Sequence, residues 1–122
     1  MYYSNKYKNQ KVTLDGITFD SKREAKRYCE LKMLEKAGDI THLRRQVKFL
    51  LIPACYEMVV DAKGKSKQKC IERECTYVAD FQYQDAHTGE LIVEDTKGMR
   101  TKDYIIKRKL MLSKYNIKIK EV

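Results

Sequence analysis

The chain has 122 residues, of which 35% are charged and 43% hydrophobic, with one proline and a formal charge of +9. That length suits one domain, 1–122, with a core of its own, and the composition excludes a disordered tail. The charge favours a polyanionic partner, with a basic surface that serves solubility alone as the plain alternative.

No apolar run approaches the ~20 residues needed to cross a bilayer. The N-terminal segment lacks the apolar stretch of a secretory signal. A cytoplasmic location and no membrane partner are therefore expected. The four cysteines, Cys29, Cys55, Cys70 and Cys75, should then be reduced. Their spacings fit no zinc finger, so they are expected to be small buried hydrophobes rather than metal ligands.

Residues 1–11 carry Tyr2, Tyr3, Lys6, Tyr7, Lys8 and Lys11. They form a flexible basic arm that either lies along phosphates and stacks on bases or simply frays. Residues 12–14 and 17–19 alternate around Asp15-Gly16, a hairpin signal. Ser21 begins a helix that runs to about Ala37 and ends at Gly38. Ser21 and Glu24 fit a capping box, in which Glu24 reaches back to the cap amide. On the wheel, Glu24 shares an inward stripe with Ala25, Tyr28, Leu31, Leu34 and Glu35, while Lys22, Lys26, Arg27 and Glu30 lie outside. A carboxylate on that stripe needs backbone amides or a cation.

Residues 47–52, closed by Pro53, read as a strand, followed by a second at 55–60. The loop 61–69 carries Lys63, Lys65, Lys67 and Lys69, and serves as a solvated tip or as a wing on phosphates. It returns through a strand at 70–75 into a long hairpin expected to be continuous with the central one. That central hairpin spans 76–83 and 91–98, with a turn at 85–90 in which Gly89 can take positive φ. If Gln84 pairs with Leu91, Asp80 faces Asp95 and Val78 faces Lys97. Opposed Cβ atoms are about 5 Å apart. Asp95 and Lys97 then share one face, with Glu94 on the other. After Met99-Arg100, Thr101 caps a basic helix over about 103–115, with Tyr104, Arg108, Met111 and Tyr115 on one side and Lys102, Lys107, Lys109 and Lys114 adding charge. Asn116 ends it, and residues 117–122 alternate as a last strand.

Two carboxylates on one face repel unless a cation lies between them. Glu24, Asp80 and Asp95 offer only oxygen, which suits Mg2+ or Mn2+ and not zinc. Lys97 beside them could orient a water or neutralise charge on phosphorus. Gln46, just ahead of a strand, is left outside this set. Lys22, the four loop lysines, Arg100, Lys102 and Lys107 are the candidate nucleic-acid contacts.

Asp80 followed by Asp95-Thr96-Lys97 resembles the D-x(n)-(D/E)-x-K core of the PD-(D/E)XK nuclease superfamily, and Glu24 resembles its helix-borne glutamate. Phe19-Asp20-Ser21-Lys22-x-Glu24-Ala25, Tyr77-x-Ala79-Asp80-Phe81 and Val93-Glu94-Asp95-x-Lys97-Gly98 are similar to segments of small phage-encoded proteins described as endonucleases. Val78-Ala79 stands where the superfamily has a proline before its aspartate. The resemblance implies an α/β (α+β) restriction-endonuclease-like core: a central mixed sheet of four or five strands flanked by helices, with an N-terminal β-hairpin. It implies a Mg2+-dependent (or Mn2+-dependent) DNA endonuclease with Glu24, Asp80 and Asp95 as metal ligands and Lys97 as the catalytic lysine. Phage replication, recombination or packaging are the implied settings. Holliday-junction resolvases of similar size suggest a homodimer and branched DNA, junction or flap. Two rivals stay open: a non-catalytic nucleic-acid-binding module on the same fold, and a structural salt-bridge cluster in a protein-interaction domain.

Overall fold

The computed structural model describes residues 10–97 and 99–122. Its elements are β1 (Val12–Leu14), β2 (Ile17–Phe19), α1 (Lys22–Ala37), β3 (Ile40–Ile52), β4 (Cys55–Val60), β5 (Ser66–Glu72), β6 (Cys75–Asp85), β7 (Leu91–Asp95), α2 (Lys102–Tyr115) and β8 (Lys120–Glu121). This is a mixed α+β fold. A four-stranded sheet runs β3-β6-β7-β8, while β1-β2 and β4-β5 form separate two-stranded pairs. β8 lies parallel to β7, with Asp95 opposite Glu121, because α2 carries the chain across the sheet between them. Of the expected arm, residues 1–9 lie outside the described residues.

Local chemistry sets most boundaries. At the β1-β2 turn Asp15 and Gly16 both take positive φ, 52° and 76°, as a two-residue hairpin requires. Ser21 accepts a hydrogen bond from the Glu24 amide, and Gly38 ends α1 with φ of 85°. Thr101 caps α2 in the same way, and Asn116 closes it in the left-handed region. The central hairpin has the expected register: Gln84 pairs with Leu91, and the ladder continues to Phe81 and Glu94. The Asp85 amide donates to the Glu90 carbonyl across the turn, and Gly89 takes φ of 77°. Val78 does not pair with Lys97, since β7 ends at Asp95.

The sheet has a core on each side. Leu31, Ile40, Phe81 and Tyr83 form one, beneath α1. Leu51, Tyr77, Ala79, Val93, Tyr104, Met111 and Ile119 form the other, beneath α2. Ala79 and Phe81, two residues apart, belong to opposite cores, which plain alternation forbids. The switch has a visible cause. β3 pairs Arg45 with Phe81 and Val47 with Ala79, and Gln46 between them takes φ of 50°. That left-handed residue turns the pleat over, so the two halves of each strand feed different cores.

Several expectations need correction. β3 begins at Ile40 rather than at 47; residues 41–46 are polar apart from Leu43, and the left-handed His42 and Gln46 break the period that would reveal a strand. The 55–72 hairpin is not continuous with the central one. It is a separate ribbon that starts its return at Ser66 rather than 70, exposed along nearly all of both strands. The last strand shrinks to Lys120–Glu121. The cysteines are not buried: Cys29, Cys55 and Cys70 are exposed and Cys75 is half-buried. Cys29 lies on the outer side of α1, and Cys55 and Cys70 lie on the uncovered ribbon. Arg27 is not on the outer side of α1 but donates to both oxygens of the buried Glu94. Among the described residues, no helix is long and apolar enough to cross a membrane.

Candidate active site

The site forms where α1 begins, β6 crosses between cores and β7 ends. Arg27 of α1 grips Glu94 at 2.8 and 2.7 Å, and the Tyr83 hydroxyl donates to the same carboxylate. Arg23 donates to the Lys97 carbonyl at 2.9 Å. These bonds clamp the N-terminal half of α1 over the end of β7 and so bring Glu24 towards Asp80 and Asp95. Glu24 does not reach back to its cap as a capping box would have it. Its Oε1 accepts from Gln46 Nε2 at 3.2 Å, and Arg45 Nη2 lies 3.8 Å away.

Each acid has a distinct setting. Asp80 Oδ2 accepts from the Thr96 amide and hydroxyl at 2.9 and 2.7 Å. Asp95 is buried; its Oδ2 accepts from the Tyr77 hydroxyl and lies 3.4 Å from Lys97 Nζ. Lys97 also lies over the Tyr104 ring, 4.3 Å from its centroid, an attraction between cation and ring face. The Glu24 carboxyl is pushed up to about 7, first by burial, then by the negative charges of Asp80 and Asp20, with Arg45 and Gln46 opposing. Asp95 is raised by burial and then by neighbouring Asp80, with Tyr77 and Lys97 opposing. Tyr77 is itself held protonated by burial and by its bond to Asp95.

The four residues expected at the site are thus electrostatic neighbours, with Asp80 raising both Glu24 and Asp95 and Lys97 opposing the rise at Asp95. Among the described residues, no three His, Cys, Asp or Glu side chains lie close enough together to hold a metal ion. The donor set itself, oxygen only, matches a hard divalent cation.

Sequence reasoning missed Arg45, gave Tyr77 no role at the site and left Gln46 aside. Arg45 and Gln46 are adjacent, and alternation would point them to opposite faces, yet both reach Glu24. The left-handed Gln46 is why. Tyr77 comes from an apolar stretch in which nothing marks a hydroxyl with a buried partner.

The expected nucleic-acid contacts divide. Lys22, at the start of α1, and Lys63, Lys65, Lys67 and Lys69, on the β4-β5 ribbon, are exposed, as is Lys102. The Asp61 carboxylate accepts from the Lys63 and Lys65 amides and shapes the ribbon tip. Lys107 is half-buried. Arg100 is taken: it donates twice to Glu121 Oε1, at 2.8 and 2.6 Å. Arg108 and Tyr104 hold the other oxygen of Glu121, and Arg100 first among these partners lowers that carboxyl to about 2.

The fold and site therefore define a small α+β protein with an acidic, lysine-flanked centre at the meeting of two strands and a helix. Residues 4–121 match the family described as "Protein of unknown function (DUF1064)", and the chain belongs to that family. No curated protein and no solved structure matches it.

Proposed function

We propose that the protein is a divalent-metal-dependent endonuclease that hydrolyses DNA phosphodiester bonds on a restriction-endonuclease-like core. The observation that carries this reading is the convergence of two buried carboxylates, Glu24 and Asp95, on Asp80, whose charge raises both. Arg45 and Lys97 offset that field only in part, and a hard cation with oxygen ligands would offset the rest. Glu24, Asp80 and Asp95 would hold Mg2+ or Mn2+, which when bound acidifies a water and neutralises charge at phosphorus.

The chain's own groups do the rest. Tyr77 fixes one Asp95 oxygen, and Thr96 fixes one Asp80 oxygen, so both carboxylates are held in orientation. Lys97, steadied by Asp95 and the Tyr104 ring, presents a cationic donor to the attacking water or a phosphate oxygen. The exposed lysines of the ribbon and of the α1 start collect the polyanion.

A second reading is a nucleic-acid-binding module without catalysis. The exposed lysine ribbon favours it, because it would bind whatever the acids do.

The test is cleavage of labelled four-way junction, flap, linear duplex and single-stranded DNA with Mg2+, Mn2+ or EDTA. Metal-dependent cutting, reduced at least about a hundredfold in Asp80→Asn and in Lys97→Ala, is the expected result. Binding without cutting under either metal refutes the enzyme and leaves the binding module.

A further inference from the structure

Arg45 is a guanidinium inside an acidic site that has no close carboxylate partner. Arg27, Arg100 and Arg108 hold carboxylate oxygens at 2.6 to 3.1 Å, the ordinary range for charged hydrogen bonds. Arg45 Nη2 stops 3.8 Å from Glu24 Oε1, beyond hydrogen-bond reach, although Gln46 bonds the same oxygen at 3.2 Å. Its Nε is buried without a hydrogen-bond partner, an arrangement that costs free energy. The guanidinium is nonetheless fixed in place: it lies 4.5 Å from the centroid of the buried Phe19 ring and 6.0 Å from that of Tyr28. About a quarter of the side chain remains exposed, so a ligand can reach it.

A group serving only to neutralise Glu24 would close on it as Arg27 closes on Glu94. A planar fork with unused donors, stacked on an aromatic ring, matches instead two oxygens of a tetrahedral anion. Its strand places it opposite Phe81, one residue from Asp80. We propose that Arg45 is the phosphate-binding residue of the site, its guanidinium taking the non-bridging oxygens of a nucleic-acid phosphodiester beside the cation that Glu24, Asp80 and Asp95 would hold. The assignment rests on the nuclease reading above and names the group that would orient the phosphate there.

The experiment measures binding of a labelled DNA duplex by fluorescence anisotropy across a NaCl series, with Ca2+ present. Wild type, Arg45→Gln and Arg45→Lys are compared, with thermal melting of each run alongside. Removing one phosphate contact lowers the slope of log K against log[salt] by about one. Arg45→Gln is expected to show that drop and to bind about ten- to a hundredfold more weakly. Arg45→Lys keeps the charge beside Glu24 but loses the fork; it is expected to keep the slope and still bind about tenfold more weakly. Wild-type slope and affinity in both variants would assign Arg45 to Glu24 alone and overturn this proposal, leaving the nuclease reading intact. Should Arg45→Gln not fold, wild-type affinity in Arg45→Lys is the overturning result. Absence of DNA binding by wild type at the lowest salt would overturn both readings.

Discussion

Glu24 is buried, and its carboxyl is raised from the ordinary 4.5 to about 7 by burial and by Asp80 and Asp20. The folded state therefore holds this proton more tightly than the unfolded chain does. Its contribution to stability is fully present below pH 4.5 and is lost as pH rises through about 7. At about 1.4 kcal/mol per pH unit, the loss is on the order of 3 kcal/mol at pH 8. Asp95 is raised as well and adds a loss of the same sign. Glu24→Gln removes the charge but leaves an amide oxygen for Gln46 to bond, while forfeiting the attraction of Arg45. In EDTA, the variant is expected to exceed wild type at pH 8 by up to about 3 kcal/mol, with the gap closing towards pH 4.5. Urea unfolding across that pH range reads the difference directly. A variant no more stable than wild type at pH 8, or a gap that does not close on acidification, would refute the electrostatic account of the site. Mg2+ at a hundredfold excess over its dissociation constant should add about 2.7 kcal/mol to wild type at pH 8, and much less to Glu24→Gln.

Other perturbations test the frame around the site. Glu94→Ala leaves Arg27 and Tyr83 without their shared partner. Because Arg27 retains some contact with water, a loss of about 3 kcal/mol in chemical denaturation is expected, the low end for a broken buried pair. A loss under about 1 kcal/mol would show that the clamp on α1 is dispensable. Ile52 pairs with Cys75, so the β4-β5 ribbon is an insertion at the tip of the β3-β6 hairpin. Replacing residues 53–74 by Asn-Gly should preserve a cooperative melt, because the ribbon adds no residue to either core. The same deletion should reduce the salt dependence of DNA binding through loss of Lys63, Lys65, Lys67 and Lys69. An unchanged salt slope would remove the ribbon from the DNA interface.

How much was legible followed from the range of the forces involved. Caps at Ser21, Thr101, Gly38 and Asn116 act within a few residues, and all four stand where the sequence put them. The register of β6 against β7 was legible too, since a short turn and two alternating strands leave few pairings. Carried one residue past Phe81 and Glu94, that register sets Asp80 beside Asp95, and Asp80 is among the groups that raise the Asp95 carboxyl. Glu24 was harder, because its inward position could be read from the wheel but its partners could not. Arg45 and Gln46 come from a stretch whose polarity hid a strand, and a single backbone dihedral aims both of them. Long-range packing decided the remainder. Arg27 looked solvent-facing until β7 supplied a buried acid, and Cys55 and Cys70 looked apolar enough to bury until the ribbon proved to have no cover.

The left-handed Gln46 implies a trade between durability and work. Its φ of 50° costs a side-chain-bearing residue roughly 1 kcal/mol or more, a cost glycine escapes. Gln46→Gly would therefore relax the backbone and offset some or all of its own entropic penalty in the unfolded chain. The same change would take away the amide that bonds Glu24 and let the guanidinium next to it wander. Selection for heat tolerance alone would favour glycine there, whereas selection for a working site would keep the strained glutamine. A melting temperature that rises in Gln46→Gly while nucleic-acid cleavage falls would show the strand giving up stability to aim its side chains.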